Sequence, residues 1–191
     1  MSKSGAVFLA YFYFDFKDER KKDSRALLSS LLDQLSDQSD QFRDVLRKLH
    51  SEHRDGSKKP NDDALLQCLK DMLTIAGPVP VYLVLDALDE CPNDCGLPTS
   101  REKVLEHVKS VVDLAHTNVH LCITSRPEFD IRATLEPLAT HTLSLHDESG
   151  QRQDIIDYVT SVVRSDKKMQ RWREDQKDLV IKKLTEKADG M

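Results

Sequence analysis

Glycine is scarce in this chain, with six in 191 residues. None of the six opens a G-x-x-x-x-G-K-[ST] run, whose backbone N–H groups would cradle phosphates. No apolar run approaches the roughly 20 residues of a membrane span, so no membrane partner is expected. Neither sign of charge dominates. Lys and Arg number 28 against 33 Asp and Glu, and the two are mixed along the chain, which argues against a nucleic-acid tail or a polybasic membrane patch. There is no internal repeat and no low-complexity segment. The first residues, "MSKSGAVFLAYFYFDFKDE", turn from weakly basic to apolar, but the apolar part is aromatic and no small-residue cleavage site follows. They read as a buried strand and not as a secretory leader.

Cysteine is also sparse, with four in all. Cys68 and Cys122 fall in apolar patterns and read as core residues. Cys91 and Cys95, in "CPNDC", have no second paired set to complete a zinc site. Reduced thiols in a cytoplasmic protein are expected. The seven histidines show no metal-binding spacing.

What is present is enough for a core: 39% hydrophobic and 32% charged residues. Apolar segments alternate in type. "AVFLAYFYFDF" (6–16) reads as a strand, followed by a helix capped at Asp23 or Ser24 with Leu27, Leu28, Leu31, Leu32 and Leu35 on one face. "SDQFRDVLRKLHSEH" reads as a second helix and 54–62 as a loop. Asn61 or Asp62 then caps a helix that Gly77 and Pro78 stop. "VYLVL" (81–85) is the next strand, and Ser100 caps a helix with Val104, Leu105, Val108, Val111 and Val112 inward. "VHLCITS" (119–125) is a third strand, "FDIRATLEPL" a short helical turn and "HTLSL" (141–145) a fourth strand. From Gln151 the pattern is helical, with Trp172 expected as a packing anchor. Alternating strands and helices imply an α/β fold with a mostly parallel sheet covered on both faces. The first three strands should lie side by side with "VYLVL" central.

The chemistry concentrates at "VYLVLDALDEC". Asp86, Asp89 and Glu90 stand at the carboxyl end of an apolar strand, where α/β sheets bind ligands. Like charges this close repel unless something positive lies between them. A metal ion is one answer; a solvated loop with Asp86 capping the turn is the other. Ser125 and Arg126 end the next strand at the same level, and for Arg126 a surface salt bridge is the alternative to a functional role.

These segments resemble a known family. "VYLVLDALDEC" looks like the Walker B segment of NACHT-type P-loop NTPases, within the STAND class of signal-transducing ATPases, and "LCITSRP" is similar to their sensor segment. "KADGM" resembles the junction into a further helical region. "AYFYFDF" and "LLSSLLDQL" resemble fungal members described as nephrocystin-3-like N-terminal modules. The resemblance implies a three-layer P-loop NTPase-like core over 1–148 that lacks the P-loop strand, then a helical segment over 149–191. The family's P-loop precedes the segment beginning here at Ala6, so the chain is expected to start after the phosphate cradle.

For a complete parent, the resemblance implies Mg²⁺ and ATP or GTP as cofactors. Asp86 would be the metal ligand, acting through a water. Asp89 or Glu90 would orient the attacking water. Ser125 and Arg126 would lie near the nucleotide, with Arg126 on the terminal phosphate. The implied function is a nucleotide-dependent oligomerising switch whose partners are further copies or neighbouring domains. A scaffold module that keeps the fold without turnover is the alternative.

Overall fold

The computed structural model describes residues 7–53, 59–93, 98–144 and 149–187. The chain divides into two compact units, Met1–Ala139 and Thr140–Met191. No helix among the described residues is long and apolar enough to cross a membrane.

The first unit is α/β. Its elements are β1 (Phe8–Tyr13), α1 (Ser24–Ser36), α2 (Asp40–Glu52), α3 (Asp62–Ile75), β2 (Val81–Asp86), a 3₁₀ turn (Leu88–Glu90), α4 (Ser100–Val112), β3 (Val119–Ile123) and α5 (Phe129–Leu135). The three strands are parallel in the order β1-β2-β3, so β2 is central as its apolar run suggests. Register is in step: Phe8 to Tyr13 stand beside Val81 to Asp86, and Val81 to Leu85 beside Val119 to Ile123.

Helix boundaries follow local chemistry. The Asp23 carboxylate accepts from the Ala26 N–H, and the Asn61 side chain accepts from the Ala64 N–H. Thr99, and not Ser100, caps α4. It forms a reciprocal box in which the Glu102 side chain accepts from the Thr99 N–H at 2.8 Å. Gly77, at φ 61°, ends α3 in the left-handed region that glycine enters without a Cβ penalty, and Pro78 follows.

The core lies on one side of the sheet. Leu28, Leu32 and Leu35 of α1, Leu69 and Met72 of α3, and Val104 and Leu105 of α4 pack against Ala10, Phe12, Val81, Leu83 and Leu85. Each fully buried side chain of this size contributes about 1.5–3 kcal/mol. Both crossovers step the same way along the sheet, so right-handed connection puts α1, α3 and α4 on one face.

The expectation of a sheet covered on both faces is therefore corrected. Burial alternates along β1 and β2, and Leu9 (48%), Tyr11 (56%), Tyr13 and Tyr82 (42%) are exposed on the other side. The Tyr82 ring stacks on His120 at 4.9 Å. Cys122, expected in the core, is exposed, whereas Cys68 is buried as expected.

The fourth strand is also corrected. Residues 141–144 are irregular, 145 lies outside the described residues, and Leu143 is 73% exposed. A strand is held by a ladder, and two leucines among polar residues bury too little to hold one without a partner. β1 is shorter than 6–16: Ala6 lies outside the described residues, and the strand ends at Tyr13. Cys95 and 188–191, most of "KADGM", lie outside the described residues as well.

In the second unit α6 (Ser149–Ser165) packs on α7 (Glu174–Lys187), with Val163 buried. Trp172, expected as a packing anchor, closes a 3₁₀ turn and is 41% exposed.

His107 of α4 is the one described side chain with a buried polar atom, Nδ1, that has no partner. It borders a cavity of about 20 Å³ among leucines. Burial pushes its pKa below the usual histidine value. Asp62, Asp63 and Glu106 oppose that shift, and Lys103 adds to it. With the folded pKa lowered, the unfolded chain binds the proton more readily. Stability is then full above the unfolded pKa of about 6.5 and falls as pH drops through the folded value. Urea unfolding at pH 7.5 and 5.0 should show a larger loss for the wild type than for His107→Leu. Equal losses would show that His107 is solvated in the fold.

Candidate functional site

At the carboxyl end of β2 the chain turns sharply. Ala87 adopts φ 54°, a left-handed conformation that costs a non-glycine residue about 1 kcal/mol. Thr124, just past β3, offsets this. Its backbone N–H bonds Leu85 O at 2.9 Å, and its carbonyl accepts from Leu88 N–H at 3.0 Å. Its hydroxyl accepts from Ala87 N–H at 3.1 Å and donates to the Asp86 carboxylate. Asp86 is exposed and is held in place by this one hydroxyl.

The three acids do not converge. Asp89 turns to the loop after β3, where its carboxylate accepts from the Arg126 N–H at 3.0 Å and pairs with the Arg126 guanidinium at 3.4 Å. Asp89 is nearly buried (11%) while the Arg126 side chain is 80% exposed, so the ion pair itself adds little beyond the backbone bond. Glu90 reaches back to the chain after β1 and accepts from Phe16 N–H at 3.4 Å. Ser125 is exposed. Among the described residues no group of three His, Cys, Asp or Glu side chains could hold a metal ion. The repulsion implied by the sequence is relieved by giving each carboxylate its own donor. Asp86 remains the one acid of the three that faces solvent at the strand end.

Between these groups lies a cleft of about 480 Å³, bordered by Phe16, Lys22, Asp89, Glu90, Arg101 and Arg126. Arg101 forms its buried wall. Its Nε donates to Cys91 O at 2.9 Å, Nη2 to Asp89 O at 2.6 Å, and Nη1 approaches Asp130 of α5 at 3.4 Å. Asn93 also reaches Asp130, at 3.4 Å, and accepts from the Thr99 hydroxyl at 3.1 Å. One guanidinium thus ties the acidic turn to α4 and α5.

Thr124 and Arg101 are not among the site residues expected from sequence. Thr124 could have been found by register, since Leu85 and Ile123 are level and their successors are Asp86 and Thr124. Arg101 also left a signal. A cation in the first turn of a helix opposes the macrodipole, so something nearby must favour it.

Arg101→Met would remove the guanidinium donor from the Cys91 and Asp89 carbonyls, and is expected to destabilise the fold by about 1–3 kcal/mol. Arg101→Lys should cost less, because an ammonium reaches one carbonyl but cannot fork. Urea denaturation measures both. Wild-type stability in the methionine variant would show that the carbonyls are hydrated.

No curated protein and no solved structure matches the chain. The family model of nephrocystin 3, N-terminal, matches residues 1–126. That span holds all three strands, the helices that cover them, and the turn residues Asp86, Asp89, Glu90, Thr124 and Arg126. By a match over well more than half its length, the chain belongs to the nephrocystin 3 N-terminal family.

Proposed function

We propose that the chain is part of a NACHT-type P-loop NTPase module of the STAND class, an ATP- or GTP-dependent oligomerising switch of the fungal NLR-like kind in a longer parent. The observation that carries this reading is the pairing of Asp86 with the Thr124 hydroxyl at the carboxyl ends of adjacent parallel strands. Ligands bind at that end of such sheets. A hydrated Mg²⁺ with its nucleotide would supply charge neutralisation and a polarised phosphoryl group there. An exposed, oriented Asp86 suits a water-mediated ligand, because Mg²⁺ retains much of its hydration shell. Arg126 is exposed enough to exchange Asp89 for a phosphate. That exchange would free Asp89, beside Glu90, to orient a water. The compartment this reading implies is the cytoplasm.

A second reading is a scaffold module without turnover. What favours it is that Asp89 and Arg126 are spent on each other, while the 191 residues contain no G-x-x-x-x-G-K-[ST] run to grip phosphates.

The first reading predicts that, in a longer parent carrying a P-loop, Asp86→Asn keeps the fold and lowers Mg²⁺-dependent hydrolysis more than about tenfold. Unchanged turnover would reduce Asp86 to a turn residue. For the 191-residue chain itself, calorimetric titration with ATP–Mg²⁺ should show no binding in the micromolar range. Micromolar binding that disappears in Asp86→Asn would mean that other residues of this chain grip the phosphates.

A further inference from the structure

Every residue from Thr124 to Phe129 is exposed, so packing does not fix the segment that carries Arg126. Its shape is set by hydrogen bonds and by its two ends. The near end is Thr124, bonded to the turn after β2 through Leu85 O and Leu88 N–H. Within the segment, Glu128 N–H donates to Arg126 O at 2.8 Å. The far end is α5, which begins three residues after Arg126.

α5 has seven residues, too few to stand as a helix without tertiary contacts. Its Glu128 cap makes no side-chain bond, and Phe129 is 87% exposed. Two residues of its first turn dock it. Ile131 is buried in the core, and the Asp130 carboxylate faces Arg101 Nη1 at 3.4 Å and Asn93 Nδ2 at 3.4 Å. The Arg101 side chain is 9% exposed and that of Asp130 31%, so this pair is largely shielded from water, unlike the pair of Arg126 with Asp89. The contacts close a ring. Arg101 donates to the Asp89 carbonyl, the Asp89 carboxylate accepts from Arg126 N–H, and the chain runs from Arg126 to Asp130 and so back to Arg101. A buried guanidinium needs a counter-charge, and that alone would account for an acid beside Arg101. It does not account for the acid standing on α5, where it completes the ring through Arg126.

We propose that Asp130 is a positioning residue for Arg126. By docking α5 on Arg101 it holds the Arg126 backbone against Asp89, and so sets where the guanidinium stands at the cleft. The consequence for turnover rests on the nucleotide-switch reading above; the docking itself does not. Placement matters steeply for a group that acts on a phosphate, since a shift of about 1 Å can cost about a hundredfold in rate.

The first arm of the test is amide exchange on the 191-residue chain, read residue by residue. The Arg126 amide should be protected in the wild type. In Asp130→Ala it should exchange about tenfold faster relative to Leu83 and Leu85, whose amides report opening of the whole sheet. A purely structural role would speed all three together. Asp130→Asn keeps an oxygen toward Arg101 and should give a smaller relative rise, about threefold, which is read instead if the alanine variant does not fold. The proposal is overturned if the wild-type Arg126 amide exchanges as in an unfolded chain, or if it keeps step with Leu83 in the variants. The second arm uses a longer parent carrying a P-loop. There Asp130→Ala should lower kcat about tenfold with KM little changed, and should cost nothing further once Arg126→Ala is present. If Asp86→Asn and Arg126→Ala lose turnover while Asp130→Ala keeps it, or if the Asp130 and Arg126 losses add in full, the positioning role is overturned and the switch reading stands. If turnover survives Asp86→Asn while the Arg126 amide responds to Asp130→Ala, the switch reading falls and the docking of Arg126 by Asp130 stands.

Discussion

The pairing of β2 with a parallel neighbour on each side fixes almost everything else in the first unit. Val81, Leu83 and Leu85 are sealed because strands flank them and helices cover them. Two crossovers stepping in one direction must both pass over the same face, so the helices that seal β2 cannot also cover the reverse of the sheet. The exposed tyrosines are the direct consequence of that topology. So is the alternation of burial along strands that read as continuously apolar.

The same register builds the site. Because Leu85 and Ile123 are level, Asp86 and Thr124 leave the sheet side by side, and one hydroxyl both orients the carboxylate and supports the left-handed Ala87. The next two acids then diverge to separate donors, one after β3 and one after β1. Arg101 reads none of these side chains. It holds the backbone carbonyls of the turn, which makes it a positioning residue for the whole acidic segment. Membership of the nephrocystin 3 N-terminal family covers this arrangement from β1 to Arg126.

The parts legible in the sequence were those governed by local rules. Leucines at helical spacing located α1 and α3, and Asp23 and Asn61 announced their caps. The turn at Gly77 needed a glycine and had one. The parts that were not legible depend on what lies across space. "YLV" on β2 is the same pattern whether one face or two are covered, so Cys122 and Tyr82 were placed on the wrong side of the burial line. "HTLSL" has the composition of a strand but no ladder. The separate partners of Asp89 and Glu90 come from loops 37 and 74 residues away, beyond the reach of any spacing rule.

Amide hydrogen exchange on the dilute monomer, resolved residue by residue, tests the central claim most directly: a three-stranded sheet covered on one face, closed at one edge and open at the other. Exchange rates follow local hydrogen bonding and burial. The β2 amides of Leu83 and Leu85 should exchange slowest. Leu9 and Tyr11 should be protected on the β1 edge, because Gln38 and Gln34 accept their protons, while Leu121 and Ile123, which turn their amides away from β2, exchange much faster. Leu121 and Ile123 amides as slow as those of β2 in a monomer would contradict the account, since they would require a partner strand that the described fold does not contain.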